Sequence, residues 1–152
     1  MPVRRVHKKS GGQDVQALGR SRGGFSTKIH IAVDALGNPL RLRLTSGQAH
    51  DIKQAPHLLQ GVTCCQVIAD RGYAAQALIE EIVKSGCVAV IPPHARAKTK
   101  REYDRWAYRE RHLVECFIGK IKHFRRVFSR FDKLARRYAS FVHFASALIW
   151  LR

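Results

Sequence analysis

One carboxylate, Glu115, lies in a stretch that is otherwise rich in arginine and lysine, YRERHLVECFIGKIKHFRR over residues 108–126. At 100° per residue, this stretch predicts a helix whose apolar face is formed by Leu113, Val114, Phe117, Ile121 and Phe124. The opposite, polar face holds Tyr108, Arg111, Glu115, Lys122 and Arg126. Glu115 can make ordinary surface ion pairs there, or it can bind a cation while the neighbouring basic side chains bind phosphate.

A second acid, Asp70, ends the short apolar run CQVIAD and precedes RGY. The run predicts a buried strand, and ligands gather at the carboxyl ends of strands in open α/β sheets. Aspartate is also a common turn residue and helix N-cap, so a purely structural role stays open for this position. Asp70 is therefore a candidate site residue whose role depends on whether the fold brings it to Glu115.

The two acids would share a chemistry if they met. Carboxylate oxygens can hold a pair of Mg²⁺ ions about 3.5–4 Å apart, of which one activates a water or hydroxyl and the other stabilises the leaving oxygen of a phosphodiester. Arg111, Lys122 and Arg126 could then bind phosphates on either side of Glu115. A simple nucleic-acid binder gains nothing from an acid in such a stripe.

The elements that must position these acids alternate between strands and helices. The runs STKIHIAV and LRLRLTS flank DALGNP and predict an antiparallel hairpin with its turn at residues 37–39. A short helix is expected from His50 or Asp51, then a strand at CQVIAD, a helix over AAQALIEEIVKSG closed by Gly86, and a strand at CVAVI stopped by a proline pair. The C-terminal segment predicts a helix that buries Leu134, Tyr138, Phe141, Val142, Ala145, Leu148 and Ile149. This order predicts an α/β domain.

The charge of the chain indicates the chemistry of its partner. Its 28 Lys and Arg residues against 11 Asp and Glu residues give a net charge of +17, far more than solubility needs, so a polyanion is expected and nucleic acid is the first candidate. The basic, glycine-rich segment GGQDVQALGRSRGG has no periodicity and predicts a flexible arm. We place this arm at residues 1–25 and the folded domain at residues 26–152.

Four cysteines, Cys64, Cys65, Cys87 and Cys116, include no CxxC pair. We expect them to be small core hydrophobes in a reducing compartment rather than zinc ligands or disulfides. The N-terminus has no apolar signal region, and the longest apolar run, FVHFASALIWL, is too short to span a bilayer. We therefore expect a cytoplasmic protein that binds no membrane.

Several of these motifs together resemble one family. ADRGY at residues 69–73 and the arrangement Y-(2)-R-(3)-E-(6)-K formed by Tyr108, Arg111, Glu115 and Lys122 resemble the catalytic domain of DDE-class insertion-sequence transposases, specifically the IS-five group. GRSRGGFSTKIHIAVDALGNPLRLRLTSGQAHD and FRRVFSRFDKLARRYASFVHFASALIWL are also similar to that group. The resemblance covers nearly the whole chain.

The resemblance implies a ribonuclease-H-like mixed sheet flanked by helices, and DNA cleavage and strand transfer that depend on Mg²⁺ or Mn²⁺. It implies that Asp70 and Glu115 are the second and third catalytic acids and bind the metal. Tyr108, Arg111 and Lys122 would accompany them on the helix, with phosphate contacts from the basic side chains, to which the polar stripe adds Arg126. The partners would be transposon-end and target DNA in the nucleoid, a second copy of the chain, or an N-terminal transposase polypeptide.

The family's first catalytic Asp has no counterpart here, since it precedes a segment like VRRVH and the sequence begins MPVRRVH. We therefore expect a truncated first strand, an incomplete triad, a truncated or frameshift-dependent form, and weak or no autonomous transposition. Asp14, Asp34 and Asp51 are not obvious substitutes because they fall in a glycine-rich stretch, a turn and a helix start. The alternatives are a non-catalytic DNA-binding remnant or inhibitor of the full-length transposase, and a small, basic RNA-binding protein of ribosomal type.

Overall fold

The structure is a computed structural model that describes residues 16–21, 24–97 and 100–151. Its strands are β1 (Gly19–Ser21), β2 (Gly24–Val33), β3 (Pro39–Ser46), β4 (Gln66–Ile68) and β5 (Val88–Val90). Its α-helices are α1 (Ala55–Leu59), α2 (Gln76–Lys84), α3 (His112–Lys122), α4 (Arg125–Phe128) and α5 (Ala135–Trp150). Further 3₁₀ turns cover Asp51–Gln54, Arg71–Tyr73 and Ala107–Arg111. The mixed α/β composition agrees with the expected class.

The hairpin predicted from the alternating runs is confirmed. β2 and β3 pair antiparallel, with Ile29 opposite Leu44 and Ile31 opposite Leu42, so apolar side chains of both strands lie on one face. In the turn, Asp34 Oδ1 accepts hydrogen bonds from two backbone N–H groups at 2.8 and 2.9 Å. The turn aspartate thus replaces backbone partners that the reversal of the chain removes.

A short strand lies where the sequence predicts a flexible arm. β1 pairs antiparallel with the start of β2. Arg130 holds this segment, because its guanidinium donates hydrogen bonds to the carbonyl oxygens of Gln16 at 2.8 Å and Ala17 at 3.1 Å. Residues 16–21 therefore pack with the sheet, whereas residues 1–15 of the predicted arm lie outside the described residues.

The predicted strand, helix and strand in the centre of the chain are also present. β4 and β5 pair in parallel and α2 connects them. The helix ends before Gly86, whose φ of +83° is the left-handed conformation that favours glycine. In the part of the chain that the structure describes, these strands form a sheet separate from β1–β2–β3, so the single mixed sheet we expected is not seen. The reason is that β2 pairs with β1 and β3, while β4 pairs with β5.

The helix predicted over residues 108–126 is interrupted. It consists of the 3₁₀ turn Ala107–Arg111, α3 and α4, with extended backbone at Phe124 (φ −79°, ψ 108°). The interruption changes the direction of the chain, so that Val127 of α4 joins the same buried cluster as Phe117 and Ile121 of α3. Burial of these apolar side chains favours the break over continued helical hydrogen bonding.

The last helix closes this cluster over the hairpin. Tyr138, Val142 and Ala145 of α5 are buried, and the Tyr138 hydroxyl donates a 2.8 Å hydrogen bond to the carbonyl of Val127. The sequence pattern predicts Leu148 on the buried face, but it is 37% exposed. Within the described ranges, no helix is long and apolar enough to cross a membrane.

The prediction for the cysteines is correct for Cys87 and wrong for two others. Cys87 is buried and Cys64 is half-buried, with their Sγ atoms 3.2 Å apart, and all four thiols are free. Cys65 and Cys116 are exposed. Cys65 precedes the short strand β4, and Cys116 follows Glu115 on the outer side of α3, so neither reaches an apolar cluster.

Candidate active site

Asp70 lies in the loop that leaves β4. Its backbone is extended, its side chain is exposed, and its Oδ1 accepts a 2.8 Å hydrogen bond from the backbone N–H of Gly72. This is the N-cap role that the sequence left open. The cap holds the carboxylate at the carboxyl end of the strand in a defined orientation, and its exposure leaves it accessible to a ligand.

Glu115 lies in the first turn of α3 and its side chain is 59% exposed. The Arg111 guanidinium donates a short hydrogen bond to Glu115 Oε1, forming an ion pair one helical turn away. The acid therefore occupies the polar stripe as predicted. Exposed pairs of this kind contribute only a few tenths of a kcal/mol, so the pair orients the carboxylate more than it stabilises the fold.

The charges of both acids influence Arg111. β4 packs against the 3₁₀ turn Ala107–Arg111, which brings the end of that strand toward the start of α3. The hydrogen bond to Glu115 raises the pKa of the Arg111 guanidinium, and the negative charge of Asp70 contributes in the same direction. A single cation is thus under the electrostatic influence of both candidate acids.

The other residues of the stripe do not all remain together. Tyr108 is half-buried beside Arg111, whose Cζ lies 5.9 Å from the ring centroid. Lys122 is exposed at the end of α3. Arg126 belongs to α4, beyond the break, and its guanidinium lies over Phe141 of α5 at 4.5 Å. The expected continuous stripe therefore ends at Lys122, because α4 takes a different direction.

Sequence reasoning missed a polar cluster beneath Asp70. His30 of β2 is only 3% exposed, its Nε2 lies 2.7 Å from Thr45 Oγ1, and its Nδ1 lies 3.6 Å from Asp51 Oδ1. Lys28 Nζ lies 3.0 Å from the same carboxylate oxygen. The alternation of β2 places Lys28 and His30 on one face, which is a signal that could have identified them. The strand pattern does not predict that Asp51 lies beside these two residues.

Tyr73, in the loop that follows Asp70, is influenced by the charge of this cluster as well as by that of Asp70. Burial raises the pKa of the Tyr73 hydroxyl to about 12, and the charges of Asp51 and Asp70 act in the same direction. Burial also lowers the pKa of His30, against the opposing attraction of Asp51. The buried imidazole is therefore neutral in the folded protein at neutral pH. The cation that pairs with the Asp51 carboxylate is Lys28.

The chemistry of the donors suits a hard divalent cation, because Asp70 and Glu115 offer exposed carboxylate oxygens. Among the residues whose placement is described, no group of three or more His, Cys, Asp and Glu side chains is arranged to hold a metal. The two carboxylates can bind a cation weakly, and the nearby guanidinium can contact a phosphate. Tight binding of the cation needs further oxygen ligands.

Comparison with known proteins identifies relatives of the chain. Residues 2–150 match the family model described as Transposase DDE domain. The chain is 40% identical over 133 residues to a Brucella ovis protein named "Putative transposase for insertion sequence element IS6501", covering 84% of this chain and all of that protein. It is 29% identical over 142 residues to "Putative transposase for insertion sequence element IS402" of Burkholderia cepacia, covering 86% of this chain and 64% of that protein. No solved structure matches.

Proposed function

Because this chain belongs to the DDE transposase family, we propose that it acts at the ends of an insertion sequence, in metal-dependent cleavage of DNA and transfer of the cut strand to target DNA. The observations that carry the proposal are the packing of β4, the strand before Asp70, against the turn Ala107–Arg111, and the ion pair between Arg111 and Glu115. The net charge of +17 supports a polyanionic substrate. The proposed place of action is the DNA of the cytoplasmic nucleoid.

In this proposal the carboxylate oxygens of Asp70 and Glu115 hold Mg²⁺ or Mn²⁺. When bound, such ions activate a water or hydroxyl for attack and stabilise the leaving oxygen of the phosphodiester. The Gly72 N–H keeps Asp70 in position, and Arg111 keeps Glu115 in position before DNA arrives. Arg111 could exchange part of its contact with Glu115 for a phosphate oxygen, and the Glu115 carboxylate would then be available as a metal ligand.

The remaining basic side chains bind the DNA backbone. Lys122 is exposed on the helix that carries Glu115, and Arg126 is exposed on the next helix, so both can contact phosphates along one strand. The Arg111 guanidinium lies over the ring of Tyr108. These contacts position the duplex and carry no sequence information, so recognition of particular ends needs contacts to bases or to DNA shape.

We further propose that the described residues from Gln16 onward belong to a ribonuclease-H-like catalytic domain, to which the segment predicted as a basic arm, residues 1–25, contributes β1 and the start of β2. The hairpin, the parallel pair β4–β5 and the helices around them support this reading. In this proposal complete activity needs a second copy of the chain or an N-terminal transposase polypeptide, because no group of three or more His, Cys, Asp and Glu side chains among the described residues is arranged to hold a metal.

The metal site is tested with Mn²⁺, whose free ion gives an electron paramagnetic resonance signal that binding removes. Asp70→Asn and Glu115→Gln should each lower Mn²⁺ affinity about tenfold or more. Glu81→Gln, which changes an exposed acid on α2, is the matched control and should leave the affinity unchanged. Equal Mn²⁺ binding by all four proteins would contradict the proposal and favour a DNA-binding protein without catalysis.

The DNA contacts are tested by the salt dependence of binding to duplex DNA. Lys122→Ala should reduce the slope of log K against log salt by about one, because one phosphate contact is lost. Lys84→Ala, at the end of α2, is the matched control and should leave the slope unchanged. A slope that both substitutions lower equally would mean diffuse attraction to the net charge rather than contacts at the Glu115 helix.

A further inference from the structure

The segment that leads into the Glu115 helix carries an exposed tryptophan on a well-held turn. Trp106 is 74% exposed. Its backbone N–H and that of Ala107 donate hydrogen bonds to Asp104 Oδ1 at 2.8 and 3.0 Å. The ring therefore projects into solvent from a capped backbone, so its exposure does not result from a loosely held chain.

One face of the ring is already occupied by a cation. The Arg109 guanidinium carbon lies 4.1 Å from the centroid of Trp106. Because the side chain stays mostly exposed, the opposite face remains accessible. An arginine stacked on one face keeps the indole plane oriented and places positive charge beside it, as a base attached to a phosphate would require.

The neighbouring residues repeat this combination of rings and arginines. Tyr103 and Tyr108 pack edge to face with centroids 5.5 Å apart, and Arg111 lies over Tyr108. Arg111 in turn pairs with Glu115. The tryptophan thus belongs to the same 3₁₀ turn and helix that hold the proposed catalytic acid.

We propose that Trp106 is a stacking platform for an unpaired base of the DNA substrate, backed by Arg109. The inference rests on the proposed function and adds a binding site for single-stranded DNA to it. Every base has a π-face that can cover the exposed indole, whereas bases stacked within a duplex cannot reach it. Positive charge next to an accessible aromatic ring is the combination that single-stranded nucleic acids bind. Strand breakage and transfer near Glu115 would create free strand ends, whose terminal base pairs open more readily than those inside a duplex.

The experiment uses the full chain with Trp150→Phe as the starting protein, so that Trp106 is the fluorescent tryptophan. Titration with a short oligo-dT strand should quench its emission, and a blunt duplex of the same length should quench it much less. Affinities are measured in the original protein by the anisotropy of dye-labelled DNA, where Trp106→Ala should lower affinity for the single strand about five- to tenfold and affinity for the duplex less than about twofold. Trp106→Phe should restore most of the loss.

The matched control is Trp150→Ala, since Trp150 is 58% exposed at the end of α5. It should leave both affinities unchanged. Equal losses for single strand and duplex in Trp106→Ala, with an unchanged melting temperature, would overturn the stacking role. Duplex binding with no quenching by the single strand would overturn it as well and leave the proposed function intact. Failure to bind either DNA would overturn the proposed function itself.

Discussion

Asp51 and Asp70 approach the same glycine. A methyl group built on Gly72 would lie 3.0 Å from Asp70 Oδ1 and 3.8 Å from Asp51 Oδ2. Asp51 starts the 3₁₀ turn after the hairpin, and Asp70 lies in the loop after β4. Residues from these two parts of the fold therefore meet beside the candidate site. The space at Gly72 is therefore part of what positions Asp70.

Gly72→Ala should displace Asp70. A contact of 3.0 Å is tighter than most real methyl contacts, so the carboxylate should shift by a few tenths of an ångström and weaken its hydrogen bond to the backbone of residue 72. We expect weaker Mn²⁺ binding and a loss of about 1 kcal/mol in the free energy of unfolding, the usual contribution of a cap. Urea unfolding and Mn²⁺ titration measure the two effects.

Gly119→Ala in α3 is the control for this change. A methyl group there meets nothing within 4 Å, and alanine is the better helix former, so stability should rise by about 0.5–1 kcal/mol while Mn²⁺ binding is unchanged. If Gly72→Ala behaved in the same way, Gly72 would have no role in holding Asp70.

The buried His30 should make stability depend on pH. Burial lowers the pKa of His30 below its ordinary value of 6.5, so the unfolded chain takes up a proton before the folded one as the pH falls. The free energy of unfolding should be steady above that value and should decrease below it, toward the pKa of the folded state. Urea unfolding at pH 7.5 and 5.5 measures the difference.

Substitution separates this effect from other titrations. His30→Gln removes the ionisable group, so the loss of stability between the two pH values should become smaller. His143→Gln changes an exposed histidine on α5 and should leave the loss as it is in the original protein. An unaltered pH dependence in His30→Gln would show that burial of this imidazole does not govern acid sensitivity.

Arg130 should be needed for the docking of the segment before the hairpin. Its guanidinium donates to four backbone carbonyl oxygens, those of Gln16 at 2.8 Å, Ala17 at 3.1 Å, Asp132 at 2.9 Å and Lys133 at 3.2 Å. A lysine cannot reproduce this fan of donors, so Arg130→Lys should cost about 2 kcal/mol of unfolding free energy.

The matched change, Arg136→Lys, replaces an exposed arginine at the start of α5 and should cost less than about 0.5 kcal/mol. Hydrogen exchange of residues 16–21 adds a local readout, because it should accelerate in Arg130→Lys alone. Equal stability of the two variants would mean that the segment is held by its strand pairing with β2.

The thiols should differ in reactivity. Cys65 and Cys116 are exposed and should react first with iodoacetamide at pH 8. Hydrogen bonds with Ser85 and Cys64 lower the pKa of Cys87, but its burial shields the thiol from the reagent, and burial raises the pKa of Cys64 to about 11, so both should react slowly. Mass spectrometry of timed samples counts the modified sites, with urea-unfolded protein as the control in which all four react. Rapid modification of Cys64 or Cys87 in the folded protein would contradict the arrangement of β4 and β5.

Local pattern determined much of the secondary structure. Alternation in the run that became β3, with the turn residues before it, predicted the hairpin of β2 and β3. Gly86 and the proline pair marked the ends of α2 and β5, because side-chain period and backbone restrictions act over a few residues. The break at Phe124 has no such signal. It results from the packing of Phe117, Ile121 and Val127 into one cluster, which involves residues far apart in the chain.

The sequence by itself determined that Asp70 follows a strand, that Glu115 lies on a polar helical face, and that the net charge of the chain favours a polyanionic partner. Only the tertiary structure decided that Arg111 responds to both acids, that Asp51 stands beside Asp70 at Gly72, and that His30 is buried beneath them. The physical reason is that residue type and spacing set local conformation, whereas contacts between distant segments depend on how apolar faces pack and which polar groups that packing encloses.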